Sequence, residues 1–319
     1  MAREPVTLPR LLQNGRLMPR LEEGLARAYD VHPLWREADA PAFLRARGPE
    51  FTGLVTSAGV GAPRALLEAL PALRVVASFG VGYDTIDLET ARRRGIAVST
   101  TPDVLTDCVA DLAVGLLVAV MRGIVAGDRF VRRGAWLAGK YPLTTRVSGK
   151  RLGIVGLGRI GRAVARRAAG FDLELAYHGR RPAAGAPFRF EPSLVELARW
   201  ADALVLSCAG GPETRHLVSA EVLDALGPEG FLVNVARGSV VDEAALVRVL
   251  EERRIAGAAL DVFEDEPRVP DALLRMENVV LLPHVASGTE ETRAAMAELV
   301  LENLRTFYAA GRLVTPLAL

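Results

Sequence analysis

The first third of the chain alternates short apolar runs with segments of helical spacing. Residues 51–57, 73–78 and 96–99 predict strands, and residues 64–70 and 88–94 predict helices. Strands that alternate with helices in this way favour a parallel sheet covered by helices. We therefore expect an α/β domain in this part of the chain.

The same alternation continues over a longer span. The strands predicted there are residues 152–155, 173–177, 203–207, 231–235, 257–260 and 279–282. Helical stretches separate most of them, as a doubly wound sheet requires. The fold class is therefore predicted to be α/β, with two Rossmann-like domains built on parallel sheets.

Three further segments frame this second series. Residues 104–121 predict a long helix, which is apolar nearly all round and should be buried on several sides. Residues 139–149 contain Pro142 and predict a loop. Residues 289–310 predict a long amphipathic helix that packs back on the first domain. The second domain would then be inserted in the middle of the first.

A glycine-rich turn stands between a predicted strand and a predicted helix within residues 151–170. Its glycines are Gly156, Gly158 and Gly161. In such a unit the first glycine allows the turn, the second lets the backbone approach phosphates, and the third lets helix pack on strand. The free N–H groups of the helix then bind a pyrophosphate. This order predicts a dinucleotide site, and the alternative is a structural turn.

The residues that follow the next strand bear on which dinucleotide is bound. An acidic residue there would bind the ribose hydroxyls of NAD. This chain instead has Gly179, Arg180 and Arg181. Glycine leaves room, and guanidinium groups grip a phosphate bidentately. We predict a preference for NADPH, with NADH possible; the alternative is a solvated arginine pair in a surface loop.

Ionisable residues follow three of the predicted strands. Arg237, Asp261 and His284 each stand just after a strand, and Glu266 follows shortly after Asp261. Ligands of open α/β sheets bind at the carboxyl ends of the strands. An arginine there holds a carboxylate, a histidine donates a proton to a keto oxygen, and a glutamate orients the imidazolium. Together they predict reduction of a 2-oxo acid, although each alone is also compatible with a structural role.

Residues 79–84 form another glycine-containing segment at a strand end. Gly80 and Gly82 would expose backbone N–H groups, which suit an anion such as a carboxylate. The alternative is a plain turn with a helix cap at Asp84.

The composition of the chain mainly excludes certain classes of partner and site. The 319 residues suffice for two domains, and a net charge of +1 gives no electrostatic case for binding nucleic acid or membranes. Cys108 and Cys208 make neither a disulfide framework nor a metal cluster, and we expect both to be buried. Residues 1–10 lack an apolar signal region, and residues 109–120 are too short to span a bilayer. We expect a soluble, cytoplasmic protein without a metal.

Several of these motifs resemble the D-isomer-specific 2-hydroxyacid dehydrogenases, in the same order along the chain. Among them are VASFGVGYDTID, GKRLGIVGLGRIGRAVARR, NVARGSVVDEAAL, ALDVFEDEP and LLPHVASGTEETR. The resemblance implies a substrate domain of residues 1–100 and 287–319, with a dinucleotide-binding Rossmann domain, residues 101–286, inserted in it. It also implies a homodimer built largely on the nucleotide domains, to which residues 104–121 contribute.

The resemblance also implies individual roles. Arg237 matches the substrate-binding arginine, His284 the catalytic acid/base, and Glu266 its carboxylate partner. Val81 and Gly82 match the backbone that receives the substrate carboxylate. Asp261 matches the residue that contacts the nicotinamide carboxamide. The full set of cofactor-binding residues that the resemblance implies is Gly156, Gly158, Arg159, Ile160, Gly161, Gly179, Arg180, Arg181, Cys208, Thr214, Val235, Ala236, Asp261 and Gly288.

Within this family the chain is most similar to NADPH-preferring reductases of glyoxylate and hydroxypyruvate. Glu266 argues against formate dehydrogenases, which pair their histidine with glutamine. Residues 207–211 depart from the proline-containing cofactor loop of many relatives. The alternatives are a dehydrogenase for a bulkier acid, with Trp136 near its pocket, a phosphite oxidiser, and a dinucleotide-sensing interaction protein.

Overall fold

The computed structural model describes residues 8–319. Its contacts divide the chain into two compact units, one containing the residues up to Leu105 together with Thr289–Leu319, and the other Thr106–Gly288. The substrate and nucleotide roles expected for these parts of the chain stay predictions. The expected lack of a signal region concerns residues 1–10, of which 1–7 lie outside the described residues.

The first unit is built on a parallel sheet with the strand order β2-β1-β3-β4-β5. The strands are β1 (Arg10–Gln13), β2 (Asp30–Pro33), β3 (Gly53–Ser57), β4 (Val75–Phe79) and β5 (Ala97–Ser99). The apolar pattern predicts the last three, with end points that differ by one or two residues. β1 and β2 were not predicted, although Leu11 and Leu12 of β1 are fully buried.

The second unit is built on a larger parallel sheet with the order β12-β11-β10-β9-β6-β7-β8. The strands are β6 (Arg151–Val155), β7 (Glu174–His178), β8 (Arg189–Phe190), β9 (Ala203–Leu206), β10 (Phe231–Asn234), β11 (Gly257–Leu260) and β12 (Val279–Leu281). All but the short β8 are predicted from the sequence. The prediction of two parallel-sheet, Rossmann-like domains is confirmed.

Helices connect the strands in both units. They are α1 (Pro19–Ala28), α2 (Ala40–Arg47), α3 (Arg64–Glu68), α4 (Leu88–Arg93), α5 (Thr106–Met121), α6 (Ile124–Arg132), α7 (Arg159–Ala168), α8 (Leu194–Trp200), α9 (Ala220–Leu226), α10 (Glu243–Glu251), α11 (Asp271–Arg275) and α12 (Glu290–Ala310). As predicted, α12 packs back on the first unit, where it contacts β4 and α1.

The apolar helix α5 packs against α7 and against strands β9 to β12 within its own unit, as its composition predicts. It begins at Thr106, two residues later than expected, because the chain turns at Asp103 with a left-handed φ of +68°. Within residues 8–319, no single helix combines the length and apolar character needed to cross a membrane. Only α5 and α6 taken together, bent by 58°, meet that test.

The two cysteines differ from expectation. Cys108 lies in the first turn of α5 and Cys208 in the loop after β9, and both residues are partly exposed rather than buried. Burial of its sulfur nonetheless raises the pKa of Cys208 to about 11, so its thiol is neutral at physiological pH. Across the described residues, no three His, Cys, Asp or Glu side chains are grouped to hold a metal ion.

Candidate active site

The glycine-rich turn joins β6 to α7. Gly156 has a φ of +93°, and a Cβ there would lie 2.6 Å from the Cα of Cys208. A Cβ on Gly161 would lie 2.2 Å from the carbonyl oxygen of Gly156, so only glycine lets α7 pack this closely. A Cβ on Gly158 would meet open space. The fold therefore requires the first and third glycines, and the second leaves its backbone accessible.

The N-terminus of α7 fits the pyrophosphate of a dinucleotide. Gly158 is the N-cap residue, and no side chain within the described part of the chain caps the helix there. Arg159 and Ile160 form the first turn, which adds a positive charge to the free N–H groups. Helix N-termini of this kind attract phosphate. The residues present thus fit the cofactor site that the sequence predicts.

Gly179, Arg180 and Arg181 follow β7, which is the neighbour of β6 in the sheet. The nearest atom to a Cβ on Gly179 would be 3.8 Å away, so the backbone there is open. The Arg180 side chain is 88% exposed, and its Nη1 lies 3.2 Å from Oε2 of Glu213. A phosphate that binds Arg180 would therefore meet a competing carboxylate.

The other predicted cofactor residues follow strands at the same end of the sheet. Cys208 and Thr214 lie on the loop after β9, where the Thr214 hydroxyl donates to the carbonyl oxygen of residue 209 (2.8 Å). Val235 and Ala236 follow β10, which pairs with β9. Gly288 lies beyond β12, and its N–H donates to the carbonyl of residue 285 (2.7 Å). Their contacts with a cofactor stay predictions.

Arg237, Asp261 and His284 follow the adjacent parallel strands β10, β11 and β12. The register pairs the last residue of β10 with Leu260, and Leu260 with Leu281. All three ionisable residues therefore leave the sheet at the same edge, as their positions after apolar runs predict.

His284 and Glu266 form a hydrogen-bonded pair at this edge. The imidazole Nδ1 donates to Oε2 of Glu266 at 2.7 Å, and the two side chains are 42% and 35% exposed. The other carboxylate oxygen, Oε1, accepts the N–H of Phe263 (3.1 Å). Glu266 is thus held at both oxygens, and the Nε2 of His284 is the ring nitrogen left for a substrate.

The charge state of Glu266 follows from these contacts. Burial acts to raise its pKa, but the hydrogen bond and positive charge of His284, together with weaker effects, hold the pKa of Glu266 below its usual range. The Phe263 N–H and the charge of Arg237 act in the same direction. Glu266 is therefore a carboxylate throughout the neutral range.

Asp261 shapes the turn that carries His284. Its side chain is fully buried, and its two oxygens accept the N–H groups of Val285 (2.7 Å) and Ala286 (2.9 Å). Its carbonyl oxygen accepts the N–H of His284 (2.8 Å), which has a left-handed φ of +53°. Burial raises the pKa of Asp261, although the two N–H donors oppose that effect. The observed partners of Asp261 are these backbone groups, and its contact with a nicotinamide stays a prediction.

The turn at Arg237 packs directly against the turn that carries Glu266. A Cβ on Gly238 would lie only 1.9 Å from the carbonyl carbon of Phe263, so glycine is required at this contact. Arg237 Nη1 donates to the carbonyl of the preceding residue (2.8 Å). The arginine is thereby set beside the His284–Glu266 pair in the same unit.

The predicted carboxylate seat, Val81 and Gly82, belongs to the first unit and follows β4. Gly80 before it has a φ of +135°, and its N–H donates to the Thr101 hydroxyl (3.1 Å). The alternative of a helix cap at Asp84 is wrong, because α4 is capped by a later aspartate, at position 87.

Asn234, the last residue of β10, is a contributor that the sequence analysis missed. Its side chain is buried; Nδ2 donates to the carbonyl of Arg237 (2.9 Å), and Oδ1 accepts the N–H of Ala236 (3.0 Å). These bonds fix the turn that presents Arg237. The available signal was a single polar residue closing an otherwise apolar strand.

Known families and curated proteins that are similar to this chain are dehydrogenases or reductases of related acids. The profile of the NAD-binding domain of D-isomer specific 2-hydroxyacid dehydrogenases matches residues 114–286. A hydroxyphenylpyruvate reductase of Plectranthus scutellarioides is 48% identical over 296 residues, which cover 93% of this chain and 95% of that protein. A glyoxylate/hydroxypyruvate reductase of Arabidopsis thaliana is 46% identical, with the same coverage.

The solved structures agree with this result. An NADPH-dependent glyoxylate/hydroxypyruvate reductase of Sinorhizobium meliloti, crystallised with NADP and malonate, matches with a TM-score of 0.91 at 46% identity. The match covers 97% of this chain and 97% of that one.

Proposed function

The chain belongs to the D-isomer-specific 2-hydroxyacid dehydrogenases, an NAD(P)-dependent enzyme family, and we propose that it uses NADPH to reduce small 2-oxo acids, glyoxylate and hydroxypyruvate, to 2-hydroxy acids. The observation that carries the proposal is the His284–Glu266 pair beside Arg237, at the strand ends of a sheet whose glycine-rich turn fits a dinucleotide. This set supplies a proton donor, an orienting carboxylate and a cation for the substrate carboxylate.

In the proposed reaction each of these side chains has one task. When bound, the reduced nicotinamide supplies the hydride for the keto carbon. The Nε2 of His284 gives the proton to the keto oxygen, because Nδ1 is committed to Glu266. Arg237 binds the substrate carboxylate and polarises the keto oxygen. The backbone of Val81 and Gly82 receives the carboxylate as well, an assignment that rests on the motif.

A panel of acceptors tests the function. NADPH oxidation by the purified protein is followed with glyoxylate, hydroxypyruvate, pyruvate and phenylpyruvate, and repeated with NADH. We expect the highest kcat/KM with the small acids and NADPH. No turnover of any 2-oxo acid with either cofactor would contradict the proposal and would favour phosphite oxidation or a dinucleotide-sensing role.

A second candidate substrate is an aromatic 2-oxo acid. It is favoured by the 48% identity to a hydroxyphenylpyruvate reductase, which is as high as the identity to the glyoxylate/hydroxypyruvate reductase. The chemistry would be unchanged, and only the width of the pocket would differ. Turnover confined to hydroxyphenylpyruvate and phenylpyruvate would establish this alternative in place of the small acids.

The cofactor preference predicts the effect of a double substitution, Gly179→Asp with Arg180→Ser. It removes one cation from the proposed phosphate site and adds an acid for the ribose hydroxyls. A hydrogen bond to a charged group contributes about 1.5–3 kcal/mol, so the NADPH/NADH ratio of kcat/KM should fall about 10- to 150-fold.

Glu213→Gln should raise the NADPH/NADH ratio of kcat/KM, because it removes the carboxylate that competes for Arg180. Arg199→Ser, at an exposed pair on α8, is the control; an unchanged ratio in the double variant would refute the preference.

The low pKa of Glu266 predicts a pH effect for Glu266→Gln. Because the pKa of Glu266 is lowered in the folded protein, its negative charge is fully present above the ordinary value of 4.5. The charge is lost only as the pH falls below that value. Glutamine has no charge at any pH, so the variant lacks this titration. In kcat/KM profiles from about pH 3 to 8, we expect the unmodified protein to lose activity on the acid side as Glu266 is protonated, and the variant to be less active but without that acid-side loss. Superimposable profiles would contradict the role of Glu266.

We also propose that the protein is a homodimer in the cytoplasm. Every residue of α6 is at least partly exposed, and large apolar side chains stand in solvent on α6 and after it. They are Ile124, Val131, Trp136, Leu137 and Leu143. Exposed apolar surface of this kind marks an interaction site. Sedimentation should give twice the 34.2 kDa of one chain, and Leu137→Asp should favour the monomer; a monomeric unmodified protein would exclude the dimer.

A further inference from the structure

Glu264 lies at the centre of a second charged cluster, which does not include the His284–Glu266 pair. Its Oε1 accepts Nη2 of Arg215 at 2.7 Å and lies 2.9 Å from Nε2 of His216. The backbone N–H of Glu264 donates to Oε1 of Glu243 in the first turn of α10 (3.1 Å). Glu264 thereby joins three segments: the loop after β9, the turn after β11, and α10.

The turn after β11 is the one that orients the acid/base pair. Glu264 is two residues from Glu266, and the bond from the Phe263 N–H to the Glu266 side chain closes the turn that contains Glu264. On its other side, the turn is packed so tightly against Gly238 that a Cβ there would lie 2.3 Å from the Glu264 nitrogen. A displacement at Glu264 would therefore be transmitted to Glu266.

The loop after β9 is built to reach Glu264. His216 has a left-handed φ of +51°, a conformation that few residues other than glycine adopt. Its N–H donates to the carbonyl of Ser239 (2.8 Å), which holds the loop in this conformation. Arg215 is more than half exposed, so its pair with Glu264 alone would contribute little. The less exposed His216 and the Glu243 contact make the cluster a network.

We propose that Glu264 is a positioning residue, which fixes the Glu266 turn against the loop that carries Cys208 and Thr214. Its carboxylate is engaged by Arg215 and His216, so it acts through Glu266 and through the loop. The catalytic part of this inference rests on the proposed function. The cofactor part requires only that the loop after β9 contributes to nicotinamide dinucleotide binding.

The test compares Glu264→Ala, Glu264→Gln and Asp265→Asn. Asp265 is the matched control, because it stands in the same turn and pairs only with exposed Arg268 in the described contacts. A small displacement of a catalytic group lowers turnover by about 10- to 100-fold, which is the loss of kcat that we expect for Glu264→Ala. KM for the 2-oxo acid should stay unchanged, since Arg237 is untouched. Glu264→Gln keeps an acceptor oxygen and should recover part of kcat, and Asp265→Asn should match the unmodified protein.

NADPH binding is measured through the fluorescence of NADPH in the absence of substrate. This measurement tests the cofactor part of the inference separately from the catalytic part. We expect a higher Kd for Glu264→Ala than for Asp265→Asn. If the unmodified protein reduces no 2-oxo acid but this difference in Kd is found, the proposed function fails and the positioning role stands. Equal kcat and equal Kd in the two variants would overturn the inference. Should Glu264→Ala not fold, the same comparison is made with His216→Ala, which removes the loop side of the contact.

Discussion

Replacement of His284 is expected to lower kcat about 10²- to 10⁴-fold, which is the usual contribution of general acid/base catalysis. The reason is that Nε2 of His284 is the proposed proton donor to the keto oxygen, and Glu266 holds the ring through Nδ1 at 2.7 Å. KM for the 2-oxo acid should change much less, because Arg237 remains. Steady-state kinetics with a saturating cofactor measure both quantities.

The choice of variant matters because His284 has a left-handed backbone with a φ of +53°. Alanine disfavours that conformation, whereas asparagine is enriched in it. His284→Asn therefore removes the imidazole with less effect on the turn, and His284→Ala is the companion. His32→Ala is a matched control, since His32 also pairs with a glutamate at 2.7 Å, in the other unit. Near-normal turnover of His284→Asn at neutral pH would contradict the proton-donor role.

Arg237→Ala is expected to damage binding and catalysis together. Two hydrogen bonds to a charged substrate contribute about 1.5–3 kcal/mol each, which corresponds to a loss of about 10²- to 10⁴-fold in kcat/KM. KM should rise, because the carboxylate loses its cation, and kcat should fall, because the keto oxygen is less polarised. Arg237→Lys keeps the charge but not the planar fork, and should recover only part of the loss.

The control for Arg237 is Arg248→Ala, an exposed arginine on α10. The Kd for NADPH should be the same in all three variants and the unmodified protein, which separates a defect in substrate binding from a defect in folding. A rise in KM without a fall in kcat would restrict Arg237 to uniform binding of the carboxylate. Unchanged values of both would remove it from the site.

The grouping of ionisable residues at the strand ends was predictable, because the carboxyl ends of parallel strands lie at the same edge of the sheet. Each apolar run that ends in an ionisable residue places that residue at the same edge, and Arg237 and His284 lie there for this reason. The glycine-rich turn was predictable as well, because Gly156 and Gly161 are required by contacts that no other residue allows. Such signals are local, so one sequence suffices to find them.

Other features depend on contacts between distant parts of the chain. β1 is short and has only Leu11 and Leu12 as an apolar pair, and β2 is partly exposed and ends in proline, so neither has a distinct strand pattern. The fixation of the His284 turn by Asp261 requires residues that are 23–25 positions apart, and no local spacing reveals it. The role of Glu264 also depends on a distant segment. Its acidic neighbours in the sequence suggest a solvated turn, and only the structure shows that the loop after β9 contacts it.

The most direct test of the account is the reduction of hydroxypyruvate by NADPH, with identification of the product enantiomer. The account predicts that one NADPH is consumed for each glycerate formed, that the product is D-glycerate, and that His284→Asn forms it at least about 100-fold more slowly. Formation of L-glycerate, or no consumption of NADPH with hydroxypyruvate, would contradict it.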